Sequence, residues 1–385
     1  MSAPRCFFSA RLRHPTAVNL LFYVPQMAAY GGIERHVCVL AEEAAKRGHH
    51  VRFLTTSNSL NETSRQRLID YGIDFRELPL AREAASASKK LFWLGKETLF
   101  ARAKTWDIVY TNGQSGLSSL VWRAAGRKTR IIHHHHTAAD AAEQTSWSPA
   151  FRRVLAHAPE LVACSNATKL NIEAAIGRND VRFLPYFTAC PVTVDEVKDG
   201  QYTPGQPLAF GFVGRLIATK GIDTLCALSL RPELRSVIWH LYGASPDFPE
   251  SYFRAYPQIR YHGPYRDLVR YGEILRELDA VALYSKHNEG MPLSLIESMS
   301  AGLPWIASDR GGTRELAVST DNCVLVQEPT NLESVLADTL ALVERIWNGK
   351  TSRKAQRAVY DELFAPEVVA KRWFEFLESG APAKD

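Results

Sequence analysis

Two hydrophobic periods alternate along the chain. Residues 18–24, VNLLFYV, are almost continuously apolar, which predicts a central strand of a parallel sheet. A loop, PQMAAYGG, follows, and IERHVCVLAEEAAKRG then shows helical spacing closed by Gly48. The same strand–loop–helix plan recurs. HHVRFLTT, IDFRELPL, DIVYTNG, RIIHHHHT and ELVACS read as further strands, the last running into the helix NATKLNI. After VRFLPYFTACPV, residues 191–205 have the Asp, Lys, Gly and Pro content of a linker.

The second half repeats the plan with LAFGFVG, VIWHLYGAS, IRYHGPY, DAVALYS and PWIAS as strands. Helical patterns lie at DLVRYGEILRELD, at 293–301, and in three terminal segments ending with PEVVAKRWFEFLESG. Alternating strands and helices predict an α/β protein with parallel sheets. The 385 residues exceed what one core usually serves, so two domains are expected. We place them at 1–195 and 196–360, with 361–385 as a C-terminal helix.

Composition narrows the class. Hydrophobic residues make up 46% and charged residues 23%, as in soluble globular proteins. No apolar run reaches the eighteen residues of a membrane span. Residues 1–17 carry arginine and no acid, a faint likeness to a transit peptide, but lack the apolar stretch of a secretory signal; a frayed extension is expected. Six scattered cysteines without a CxxC pair predict free thiols in a reducing cytoplasm. The net charge of +5 is uneven: residues 1–195 carry +9 and the remainder −4. A basic first half suits an anionic acceptor or a lipid surface. No nucleic-acid motif or Lys/Arg-dense helix is present, so nucleic acid is not expected as a partner. Residues 86–104 mix Leu91, Phe92, Trp93, Leu94, Leu99 and Phe100 with Lys and Arg. They read either as an amphipathic helix resting on a membrane interface or as an ordinary surface helix over the sheet.

The candidate chemistry lies at the ends of the strands. Gly31 and Gly32, between a strand and a helix, allow backbone amides to approach a diphosphate closely. Gly214 ends a strand, Arg215 follows it, and Lys220 opens the next helix: two cations five residues apart suit a diphosphate. Gly243 ends another strand. Residues 285–312, SKHNEGMPLSLIESMSAGLPWIASDRGG, hold Glu289 in a turn and Glu297 in the helix after it. Pro292 stands at a helix start, whose N–H groups attract anions. On a strand, His134 and His136 share one face and His133 and His135 the other. Paired histidines at this spacing also allow a metal, although no carboxylate cluster accompanies them.

These motifs together resemble the retaining, nucleotide-sugar-dependent glycosyltransferases of family 4, which have the GT-B fold. Their Glu-x7-Glu is matched by Glu289-GMPLSLI-Glu297, and small-x-x-x-Gly-x-Pro by Ser298-MSA-Gly302-Leu-Pro304. GRLIATKG resembles the G-R-x4-K-G signature, GG-I-E the GG-x-E loop, and DRGGTREL, with Glu315, the GG-x-x-E turn. The likeness runs from about residue 18 to 380 and departs at one place, where Pro-Tyr-Phe-Thr-Ala from Pro185 stands for Pro-Asn-Gly-Val-Asp.

The resemblance implies two Rossmann-like domains, the acceptor held by the first and a UDP- or GDP-sugar mainly by the second. It implies catalytic roles for Glu289, His136, Arg215 and Lys220, with His134 as the alternative histidine. Donor contacts would come from Gly31, Gly32, Gly214, Arg215, Lys220, Gly243, Glu289, Gly290, Met291, Pro292, Leu293 and Glu297. No metal cofactor is expected. The wording EGMPLSLIE resembles enzymes of lipopolysaccharide, capsule or exopolysaccharide synthesis, so a lipid-linked or cell-surface glycan is the expected acceptor. A cytoplasmic enzyme is expected, working at the inner face of the membrane. The competing readings are a nucleotide-sugar 2-epimerase of the same fold and a non-catalytic GT-B binding protein. A nicotinamide dehydrogenase is weaker still, since GxGxxG is missing.

Overall fold

A computed structural model describes residues 17–27, 31–78, 86, 88–89, 92, 106–125 and 128–379. Residues 1–16 and most of the amphipathic stretch 86–104 lie outside the described residues, and the expectations made for them lie there too. The strands form two parallel sheets flanked by helices, the α/β arrangement expected. By compactness the chain divides into Met1–His133 with Glu375–Asp385, and His134–Phe374.

The first unit is built on β1 (Asn19–Tyr23), β2 (His50–Thr56), β3 (Asp74–Leu78) and β4 (Ile108–Asn112). β1 pairs in parallel with β2 (Leu20 beside Val51) and with β4 (Leu20 beside Ile108). Both faces of β1 are covered, which is why its sequence shows no polar alternation. Helices α1 (Gly32–Lys46), α2 (Glu62–Asp70) and α3 (Ser118–Ala125) follow strands in turn. Leu21, Tyr23, Leu54, Val109 and Val121 form one buried cluster. Arg130 donates to the carbonyl of Leu377 at 2.7 Å and lies over the Phe376 ring.

β5 (Arg130–His135) leads into the second unit, where α4 (Ala141–Ser146), α5 (Pro149–His157), β6 (Glu160–Ala163), α6 (Asn166–Ile176) and β7 (Arg182–Phe183) follow. The first sheet has the order β3-β2-β1-β4-β5-β6-β7. The second sheet contains β8 (Leu208–Val213), β9 (Val237–Tyr242), β10 (Ile259–Gly263), β11 (Ala280–Leu283), β12 (Trp305–Ser308) and β13 (Cys323–Val326). Its order is β10-β9-β8-β11-β12-β13. Its helices are α7 (Ile222–Leu228), α8 (Glu250–Phe253), α9 (Leu268–Glu277), α10 (Leu293–Ser300), α11 (Leu332–Trp347) and α12 (Arg353–Leu363), and α13 (Pro366–Glu378) comes last. Trp239, Trp305 and Tyr284 are fully buried in one large core. In such sheets ligands gather at the carboxyl ends of the strands where the order reverses, here beside β8 and β11. Among the described residues no helix is long and apolar enough to cross a membrane.

Candidate functional site

Two loops meet at the carboxyl ends of β8 and β11. The first, after β8, carries Gly214, Arg215 and Lys220; the second, after β11, carries Ser285 to Pro292. The amide of Lys286 donates to the carbonyl of Thr219 at 2.8 Å, and His287 Nδ1 lies 3.0 Å from the same oxygen. Gly221 has φ of +75°, and a Cβ there would come within 2.0 Å of the Tyr284 carbonyl oxygen. Only glycine allows the two loops this close, which fixes where Lys220 stands.

Lys220 Nζ donates to both oxygens of Glu289, at 2.6 and 2.7 Å. Ser285 donates its hydroxyl to the same carboxylate, and His287 Nε2 lies 3.5 Å from it. Glu289 is only 7% exposed. Burial pushes its carboxyl upward, but the charges of Lys220 and His287 and the hydrogen bonds from Lys220 and Ser285 outweigh that. The net effect holds it below the usual carboxylate range. The sequence-predicted Lys and Glu are therefore one ion pair.

Arg215 differs. Its side chain is exposed and has no ion pair or hydrogen bond among the described residues. Glu297, on α10, is buried and accepts from the amide of Ala189 at 3.2 Å. Met291 and Pro292 are buried, Pro292 caps the start of α10, and Leu293 is its first residue. Gly214 and Gly243 end β8 and β9, and their backbones touch: a Cβ on Gly243 would meet the Gly214 carbonyl oxygen at 1.8 Å. Gly31 and Gly32 lie in the first unit, at the start of α1, where Glu34 accepts from the Gly31 amide at 3.1 Å.

The turn at Glu289 is held on both sides. The Gly312 amide donates to the Glu289 carbonyl at 2.9 Å. Asn288 donates to Asp140 at 2.6 Å, and Asp140 also caps α4 by accepting from the Glu143 amide at 2.8 Å. A Cβ on Gly290 would sit 2.8 Å from the His136 carbonyl oxygen and 3.0 Å from Cys164 Sγ. The His136 segment thus lies directly against the turn. Glu315 accepts from the amides of Asn166 and Ala167 at 2.9 and 2.8 Å, at the start of α6.

Of the two histidines left open by the sequence, His136 is half-buried and His134 fully buried behind it, between His136, Tyr186 and Trp373. His135 points the other way, to Glu143, Trp147 and Phe151, as strand alternation requires. Among the described residues no three His, Cys, Asp or Glu side chains gather as a metal site.

Several site residues escaped the sequence. Ser285 and His287 lie inside the motif but outside its recognised positions. Tyr186 hides in the one stretch that departs from the family pattern, and Asp140 is a plain helix cap until folding brings it to Asn288. A further cavity of about 320 Å³ opens beside β9, β10 and α9, lined by Tyr242, His262, Pro264, Arg266, Asp267 and Arg270 among others. Tyr242 and His262 stack there with centroids 4.4 Å apart.

Residues 30–187 match the family model described as Glycosyltransferase Family 4, and residues 207–345 the model described as Glycosyl transferases group 1. The chain belongs to the family 4 glycosyltransferases, is a transferase, and has the GT-B fold. A 42.6 kDa protein from the cps region of Klebsiella pneumoniae is 23% identical over 359 residues, 83% of this chain and 91% of its own. The crystal structure of Anabaena Alr3699/HepE with UDP and glucose is similar at a TM-score of 0.71 and 17% identity, over 94% of this chain and 100% of that one. The apo lipopolysaccharide outer core galactosyltransferase WaaB is similar at 0.72 and 17%, over 94% and 99%.

Proposed function

We propose that this glycosyltransferase moves a sugar from a UDP- or GDP-sugar to a glycan, with retention at the anomeric carbon and without a metal. The observation that carries the reading is the buried Lys220–Glu289 pair at the carboxyl ends of β8 and β11. An ammonium has three N–H donors, so Lys220 can keep Glu289 and still donate to a phosphate. Its charge is already balanced by Glu289, which leaves Arg215 as the uncompensated cation of the loop. Fixed donors aimed at a departing diphosphate supply about 3 kcal/mol each in a dry site, several times what a helix dipole gives. The nucleotide base is assigned to the cavity beside Tyr242 and His262, because stacked rings recognise a π-face of any base.

In the reaction, the bond between the anomeric carbon and the phosphate oxygen breaks, and its electron pair leaves on the diphosphate. The acceptor hydroxyl oxygen bonds to the same face of that carbon, and its proton passes to the leaving phosphate. Glu289, ionised and at the sugar ring, stabilises the positive charge that develops at the anomeric carbon. The acceptor reading, a lipid-linked or cell-surface polysaccharide at the inner face of the membrane, draws on two relatives. One is a protein of a cps region and the other a lipopolysaccharide galactosyltransferase.

A panel of UDP- and GDP-sugars with candidate glycans tests the reading. Expected are release of UDP or GDP from one donor, a product of unchanged anomeric configuration by NMR, and full activity in EDTA. Inversion would remove the retaining mechanism, EDTA loss reversed by Mn²⁺ the metal-free one. An altered nucleotide-sugar without transfer would favour the epimerase.

A further inference from the structure

His287 stands in the turn between Ser285 and Glu289, and its ring touches both loops of the site. Nδ1 lies 3.0 Å from the Thr219 carbonyl oxygen, and Nε2 lies 3.5 Å from Glu289 Oε1. A carbonyl oxygen only accepts, so Nδ1 is the donor of that contact whether the ring is neutral or charged. A second proton, on Nε2, then decides what Glu289 faces. Without it, a bare nitrogen stands beside a carboxylate oxygen, two acceptors with no proton between them. With it, the contact becomes an ion pair.

We propose that His287 is a positioning residue that takes up a proton when the donor binds and, as an imidazolium, holds the Glu289 carboxylate while Lys220 shares itself with the diphosphate. This rests on the donor reading above. Charge counting leads to it. Lys220 and Glu289 cancel one another in the ion pair. A diphosphate brings about two negative charges, which favour the charged form of a neighbouring imidazole. Among the described residues Glu289 is the one acid within ion-pair distance of the His287 ring. The other charged groups of the surrounding elements are engaged elsewhere or carry like charge. Lys286, on the same loop, pairs with Asp223 of α7. Asp140, at the start of α4, accepts from Asn288 at 2.6 Å, and Asp247, after β9, accepts from the Ala218 amide at 2.9 Å. Arg215, on the loop after β8, is a cation. The His287 side chain is 41% exposed, so solvent supplies the proton.

Proton uptake tests this directly. Binding of UDP and of GDP to the full chain is measured by calorimetry at pH 7 in buffers of different ionisation heat. The variant for comparison is His287→Asn, which keeps an N–H donor for the Thr219 carbonyl but takes no proton. Protons of the nucleotide's own phosphate cancel in the difference. The wild type is expected to take up about half a proton more per nucleotide than His287→Asn. With the preferred donor, wild-type kcat is expected to fall as pH rises from about 6 to about 9. His287→Asn is expected to lose that pH dependence and to turn over about tenfold more slowly at pH 6, with donor KM within about threefold. His287→Lys, charged throughout this range, is expected to recover part of the lost turnover and to keep it at pH 9. Equal proton counts in wild type and His287→Asn, with nucleotide bound to both, overturn the proposal and leave the donor reading standing. So does a His287→Asn enzyme that is slower but keeps the wild-type pH profile, since His287 would then only hold the loop. Should His287→Asn fail to fold, His287→Gln and His287→Lys give the same proton comparison. Binding of neither nucleotide to the wild type sinks the donor reading, and this proposal with it.

Discussion

Two carboxylates of the second unit, the buried Glu289 and the half-buried Glu143, are both held below the usual range, yet by opposite means. Glu289 faces a full cation, Lys220, beside Ser285 and His287. Glu143 is answered by its own neighbourhood. Its Oε1 accepts from Thr137 at 2.7 Å and from the Trp147 indole at 3.2 Å and lies 3.0 Å from His135 Nε2; its Oε2 accepts from the Ala139 amide at 2.7 Å. Residues within eight positions along the chain fill Glu143's lone pairs. Such a site is complete without a ligand and fixes a loop. Glu289 and Lys220, 69 positions apart, form a pair that an incoming phosphate and sugar can share. The contrast separates a carboxylate satisfied by its own loop from the one to which the proposed reaction gives a role.

The largest effect expected from this contrast is on turnover. Glu289→Gln keeps the shape of the side chain and removes the charge that, in the proposed reaction, steadies the anomeric carbon. A fall in kcat of about 100-fold or more is expected, measured as nucleotide release with the preferred donor, while Glu143→Gln stays within about tenfold. Comparable losses from both would erase the distinction.

Much of this was legible before any coordinates. The continuous apolar runs named the buried strands, and Lys220 and Glu289 named the loops at their ends, with Glu297 in the helix that follows. Less legible was what each would touch. Arg215 and Lys220 look equivalent in sequence, but only Lys220 follows a sharp turn, at Thr219 and Gly221, that presses it onto the β11 loop. Helix α4, AAEQTS, has no large apolar side chain to mark a buried face, and α5 is short although Phe151, Val154 and Leu155 keep helical spacing; their starts are set by the caps Asp140 and Ser148. The Asp140–Asn288 bond joins positions 148 apart. Nothing local announces such a pairing.

A smaller effect concerns folding stability at the Lys220 pair. Lys220→Met leaves a buried carboxylate without its cation, which should cost about 2–3 kcal/mol, somewhat under the value for fully buried pairs because Lys220 keeps some exposure. Lys220→Met combined with Glu289→Gln should be more stable than Lys220→Met alone, because the stranded charge is gone. Urea unfolding of wild type and the two variants measures both. A double variant no more stable than the single one would show that Glu289 is not the partner that matters.

The smallest effect belongs to Glu143, and pH gives it a distinctive form. Burial raises its carboxyl, but the hydrogen bond and charge of His135 with the bonds from Thr137 and Ala139 bring it down to about 2. A group depressed on folding adds stability above its unfolded pKa and loses it as pH falls through the folded one. The contribution should therefore be complete above about 4.5 and fade between there and about 2. With the solvent that still reaches this carboxylate taken into account, it amounts to about 1–2 kcal/mol. Glu143→Gln cannot accept at both oxygens, so at pH 7 it should unfold at lower urea than the wild type, and the two curves should converge as pH is lowered below 4.5. A gap that stays constant with pH would mean that shape, not charge, is what Glu143 supplies to the loop carrying His136 and Asp140.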